Sequence, residues 1–160
     1  MKTQSRRAFL ALAAAVAVST LTANFAVAHE ADCPHCQQAI TQDTPTQDNE
    51  VVLKYGRKRI EYKCVYCAIA EAKTEYAKGD ISIAAPSEKK GEPVILKRVA
   101  GNWSAAPGAA HFVAQTPIKH KVCNVTARAF HSKSAAQAYI KANNLKTAPI
   151  TLSQMVALSK

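Results

Sequence analysis

The sequence predicts an α+β fold made of two similar small strand–strand–helix–strand units. Three observations lead there. Apolar residues make up 48% of 160 positions, enough for a core and too many for a disordered chain. Short β-branched runs bounded by turn residues alternate with stretches rich in Ala, Glu and Lys. The order strand, strand, helix, strand is read twice along the chain. So weak a repeat fits duplication and coincidence equally.

Taken in order, residues 1–28 read as an address. Lys2, Arg6 and Arg7 form a positive start, and 8–18 is an apolar run. That run is shorter than the roughly 20 residues needed to span a bilayer. Ala26-Val27-Ala28 offers a small-x-small cleavage site, so a removable signal peptide is expected. Ser5-Arg6-Arg7-Ala8-Phe9-Leu10 is close to the twin-arginine consensus, which implies periplasmic export of an already folded protein. No lipid-accepting Cys follows the run, so no stable membrane anchor is expected.

Residues 29–49 are polar and turn-rich, with Cys33-Pro34-His35-Cys36 near their start and a loop over 41–49. The first α+β unit is expected over 50–100. Residues 50–55 (EVVLKY) and 57–62 (RKRIEY) predict a hairpin turning at Gly56. Residues 65–78 predict a helix stopped by Gly79, with Cys64 at its N-cap. Residues 81–85 and 93–100 predict strands around the turn 86–93. Residues 101–108 read as a loop around Trp103. The second unit is expected over 101–160. It has a strand or short helix at 110–115, a strand at 124–130, and a helix from Ser132 to about 142. A returning strand at 148–151 and a last helix from Ser153 complete it. Tyr62-Lys63-Cys64 and Phe130-His131-Ser132 occupy matching places, each between a strand and a helix.

Charge narrows the function. The formal net charge is +10, and it is still +7 without the three leader cations. Solubility accounts for this; steering toward an acidic partner or an anionic membrane is the sharper reading. Export disfavours nucleic acid as a partner. With 6% aromatics and a single Trp, a sugar- or base-stacking surface is not expected. No Ser-His-Asp spacing or phosphate-binding glycine loop is present.

The chemistry lies in the cysteines. Cys33-x-x-Cys36 and Cys64-x-x-Cys67 are two knuckles with 27 residues between them. Two intervening residues let the chain curl round one ion, and two knuckles supply four thiolates. Such a set satisfies tetrahedral zinc and also suits Cu(I). Cys64 and Cys67 would open a helix, where the dipole favours thiolates. Two readings stand beside metal carriage. One is a structural zinc or disulfide scaffold. The other is a thiol–disulfide oxidoreductase using Cys33 and Cys36, because Cys-Pro-His-Cys is similar to the active site of periplasmic disulfide oxidases with a thioredoxin fold. Catalysis is not the leading expectation.

His29, His35 and Cys123 are further candidate ligands. Cleavage after Ala28 would leave His29 terminal, able to chelate copper through amine and imidazole. Cys123 is flanked by His111, His120 and His131, which offer either a second site or ordinary scattered histidines.

Over most of the expected mature chain the sequence resembles the NosL family, accessory proteins of nitrous oxide reductase. The residues carrying the resemblance are Cys33 to Cys36, the Gly56 hairpin ending in Tyr62, and Gly101-Asn102-Trp103 with Phe112-Val113. Thr116-Pro117, 127–130 and the helix containing Ala135, Ala136 and Tyr139 complete it. Tyr62-Lys63-Cys64 also resembles the knuckle of TRASH-type metal-sensing modules. The resemblance implies a duplicated α+β fold and periplasmic delivery of Cu(I) to a maturing client such as nitrous oxide reductase. Gln37 and Gln38 stand where that family usually carries Met, and Met155 is the only methionine after the leader, so thioether ligation is not implied.

Overall fold

A computed structural model of the chain describes residues 30–41, 50–115 and 126–160. The leader, His29, the 42–49 stretch, Thr116-Pro117, His120 and Cys123 lie outside the described residues. The fold is α+β, with three helices and antiparallel strand pairs among the described residues.

Strands β1 (Glu30–Asp32) and β2 (Ala39–Thr41) pair around the first knuckle. This hairpin replaces the coil expected there. Each strand is only three residues long, and it forms because the knuckle between closes on itself.

A five-stranded sheet follows, in the order β4-β3-β5-β6-β7. Its strands are β3 (Val51–Tyr55), β4 (Lys58–Tyr62), β5 (Ile81–Ala85), β6 (Val94–Val99) and β7 (Asn102–Ala106). The β3–β4 turn needs left-handed backbone, and Gly56 supplies it at φ +56°.

Strand β7 corrects the expected loop around Trp103 and carries the sheet past residue 100. Ala100 and Gly101, at φ +48° and +82°, make a two-residue turn that pairs Val99 with Asn102. Asp80 Oδ1 accepts the Ala100 N–H at 3.0 Å and holds this turn. Asn-Trp-Ser-Ala-Ala has weak strand propensity; the turn and the β6 edge impose the strand.

One face of the sheet carries the core: Val51, Leu53, Ile81, Ile83, Ala85, Val94 and Leu96 are buried there. Helix α1 (Val65–Lys73) packs on it and is buried almost all round, because residues of the second unit cover its far side. Phe112, Ala127, Ala129 and Met155 belong to the same core. The opposite face carries two residue rows fixed by register. One is Glu61–Val52–Ala84–Ile95–Ala106 and the other is Arg59–Lys54–Ser82–Lys97–Ser104.

Helix α1 ends at Lys73, short of the expected 78. The cause is Arg98. It is buried on the core face of β6, and its guanidinium donates to the carbonyls of Ala72, Tyr76 and Gly79. The chain after Thr74 curls round that group instead of continuing the helix.

The second unit comprises β8 (His111–Val113), β9 (Arg128–Phe130), α2 (Lys133–Ala142) and α3 (Leu152–Leu158). The expected returning strand is a single bridge: Phe112 and Ile150 exchange N–H···O bonds of 2.9 and 2.8 Å. In both units the first strand lies between the second strand and the segment returning after the helix. Ser132 caps α2 by accepting the Ala135 N–H at 3.2 Å, and Thr151 with Gln154 forms a capping box on α3.

A buried cysteine cluster

Each knuckle is shaped by local backbone bonds. Cys33 N–H donates to Gln38 O at 2.9 Å and Gln37 N–H donates to Cys33 O at 2.8 Å. Gln37 takes a left-handed φ of +56° to close the loop. Cys33-Pro34-His35-Cys36 is therefore a tight hairpin tip and does not open a helix. The pair that does open a helix is Cys64 and Cys67. Cys64 is the N-cap of α1, in the place Ser132 holds at α2. Unlike Ser132, it makes no side-chain cap bond; its sulfur turns to Cys67 Sγ, 3.6 Å away.

Two side-chain contacts bring the knuckles together. His35 Nδ1 meets Glu71 Oε1 at 3.1 Å, joining the first knuckle to the helix that carries Cys67. Lys63, next to Cys64, donates from Nζ to Ala39 O on β2 at 2.6 Å. Glu71 lies four residues after Cys67, one helical turn along the same face. Glu71 and Lys63 were not among the expected site residues. The i+4 spacing from Cys67 is the signal that would have pointed to Glu71.

The result is a compact donor set. The sulfurs of Cys33, Cys36 and Cys67 all lie within 4.8 Å of one another. Cys64 Sγ touches Cys67 but does not come within that distance of all three. All four side chains are buried, at 0–4% exposure, and none is in a disulfide. Among the described residues this is the one group of three or more such side chains placed to share an ion; His111 and His131 are not in it. His35 contributes its contact with Glu71, and its ring lies 5.9 Å from that of Tyr66.

The thiols are electrostatically unequal. Cys33 is pulled down to about 5, because the Cys67 thiol donates to it and the amides of Lys63, Cys36 and His35 point at its sulfur. Burial opposes this and loses. For Cys64, burial is the largest influence and raises the value. The Cys67 side chain and the amides of Ala127, Cys67 and Tyr66 together outweigh it, so the net shift is downward. Cys67 is pushed far up, since its proton is held between Cys33 and Cys64 in a buried place. Burial pushes Cys36 up to about 11. The surroundings thus favour the thiolate at Cys33 and Cys64 and the thiol at Cys36 and Cys67.

Four thiolates round a tetrahedral ion at about 2.3 Å would stand roughly 3.8 Å apart. Cys33, Cys36 and Cys67, within 4.8 Å of one another, come near that spacing, and Cys64 lies outside their group. The donor set fits a soft, thiophilic ion, and hard oxygen-seeking ions have no ligands here.

No protein-family model matches the chain, and no curated protein does. Among solved structures it is similar to the mercury-bound form of MerB2, with 15% identity and a TM-score of 0.54. The match covers 72% of this chain and 57% of that one, so the chain spans little more than half the length of its neighbour. At that identity the likeness is one of fold.

Proposed function

We propose that this chain is a carrier of one soft metal ion, with Cu(I) as cargo and no catalysis of its own. The observation carrying this is the convergence of Cys33, Cys36 and Cys67 within 4.8 Å, with Cys64 outside that group and in contact with Cys67. Zinc in structural sites asks for four comparable ligands, whereas Cu(I) accepts fewer thiolates. An uneven set of three sulfurs and one neighbour suits the latter. The NosL-like features of the sequence support the same cargo and suggest a periplasmic metalloenzyme client, of which nitrous oxide reductase is the type. The twin-arginine-like leader supports export after folding, which would let reduced thiols load before meeting an oxidising compartment.

One observation favours a second reading. The four cysteines are almost fully buried, which suits a closed structural zinc site that staples the β1–β2 hairpin to α1. Cys64→Ser separates the two. Under the carrier reading, reduced protein binds one Cu(I) and Cys64→Ser retains it, while zinc binding collapses. If removal of bound zinc unfolds the protein and Cu(I) cannot replace it, the structural reading takes its place.

A further inference from the structure

We propose that the face of the five-stranded sheet turned away from α1 is a docking surface for an acidic protein partner. Helix α1 and the buried core occupy one face of this sheet, and every buried core side chain of its strands points that way. The other face presents two adjacent rows. Val52, Ala84 and Ile95 form the centre of one and are only half-buried. Arg59, Lys54 and Lys97 stand in the next row, all exposed, with serines between and beyond. Val99, at 50% exposure, lies on the same face of β6 beyond Lys97, so the cation row has apolar side chains on both sides. The one carboxylate in these two rows is Glu61, which is ion-paired with Arg59.

The occupant follows from charge and shape. A half-exposed β-branched strip beside a row of cations matches a partner offering aliphatic side chains bordered by carboxylates. A second copy of this chain would bring cation rows together, and like charges facing each other repel. Neither row carries an aromatic side chain on which a base could stack. A membrane surface would be met by protruding Trp, Phe or Leu, and Val52, Ala84 and Ile95 are short. The face also borders the cysteine cluster: Arg59 and Glu61 line a groove with Asp32 at the end of β1 and Pro34 of the first knuckle. A partner seated on the sheet therefore reaches the edge of that knuckle. The docking surface itself stands whether or not the cysteines carry cargo.

Titration of isotope-labelled protein with a peptide alternating Glu and Val tests this by amide shift mapping. An equally charged Asp-Gly peptide and phosphatidylglycerol vesicles serve as comparisons. The expected result is a set of shifts centred on Val52, Lys54, Ala84, Ile95 and Lys97. The Glu-Val peptide should bind more tightly than Asp-Gly. Lys54→Glu/Lys97→Glu should weaken binding about tenfold. These lysines are exposed, so the fold should survive; a native-like amide spectrum checks that, and Lys54→Gln/Lys97→Gln should give an intermediate loss. Shifts scattered over Lys89, Lys133 and Lys141 would overturn the proposal, as would indifference to both double substitutions. Tighter binding to the vesicles than to the peptide would assign the face to a membrane surface instead.

Discussion

His35 and Glu71 meet at 3.1 Å, Nδ1 to Oε1, across 36 residues of sequence. Through this contact the knuckle holding Cys33 and Cys36 is registered against the helix holding Cys67. Neither residue is needed as a ligand for that role. Side-chain exposures of 21% and 15% put the pair at the margin of the buried sulfurs, where a mixed polar contact can survive without full desolvation.

Loss of that contact should loosen the third sulfur before it loosens the first two. Glu71→Ala is expected to lower Cu(I) affinity about tenfold, in the range seen for groups that orient ligands. Glu71→Gln keeps an acceptor for His35 and should recover most of the loss. Competition against a chromophoric Cu(I) chelator measures both. Equal affinities in wild type and Glu71→Ala would show that the knuckles are held by other means.

Proton release provides a second check. Cys36 is protonated up to about 11, and Cys67 is pushed far up, while Cys33 falls to about 5. Between those two values a bound ion must displace the protons of Cys36 and Cys67. Affinity should therefore rise with pH across the window, with about two protons released per ion. Below about 5 Cys33 also takes a proton, and the dependence should steepen. Calorimetry in buffers of different ionisation enthalpy counts the protons. A pH-independent affinity near neutrality would mean that the thiols are already ionised.

Arg98 should matter for stability and not for metal. Its guanidinium satisfies carbonyls at the end of α1 and just beyond, and it lies 5.8 Å from the Trp103 ring. Arg98→Leu leaves those carbonyls without their donor and should cost about 3 kcal/mol. Arg98→Lys, with one charged donor group, should cost less. Chemical denaturation of the metal-free protein reads both. A Leu variant as stable as wild type would show that water replaces the guanidinium at no cost.

The parts legible from sequence are those specified locally. Gly56 between two β-branched runs marks its hairpin, and Ser132 marks the start of α2, because a turn or a cap is decided within a few residues. Cysteine spacing likewise identifies each knuckle by itself. What was hidden depends on distant residues. Strands β1 and β2 are too short to show a pattern and exist only as the stem of the Cys33–Cys36 loop. Strand β7 is set by a turn in which a non-glycine residue, Ala100, takes positive φ. The end of α1 is decided by Arg98, 25 positions beyond Lys73. The meeting of the knuckles rests on Glu71 and Lys63, and the place of Cys64 beside Cys67 but outside the three-sulfur group has no sequence signature.

The most direct measurement is the sulfur coordination number of protein loaded anaerobically with one Cu(I), read by X-ray absorption. The account predicts a shell of sulfur alone, with three scatterers contributed by Cys33, Cys36 and Cys67. That shell should be unchanged in Cys64→Ser and reduced to two sulfurs in Cys67→Ser. A nitrogen- or oxygen-dominated shell, or equal disruption by Cys64→Ser and Cys67→Ser, would contradict it.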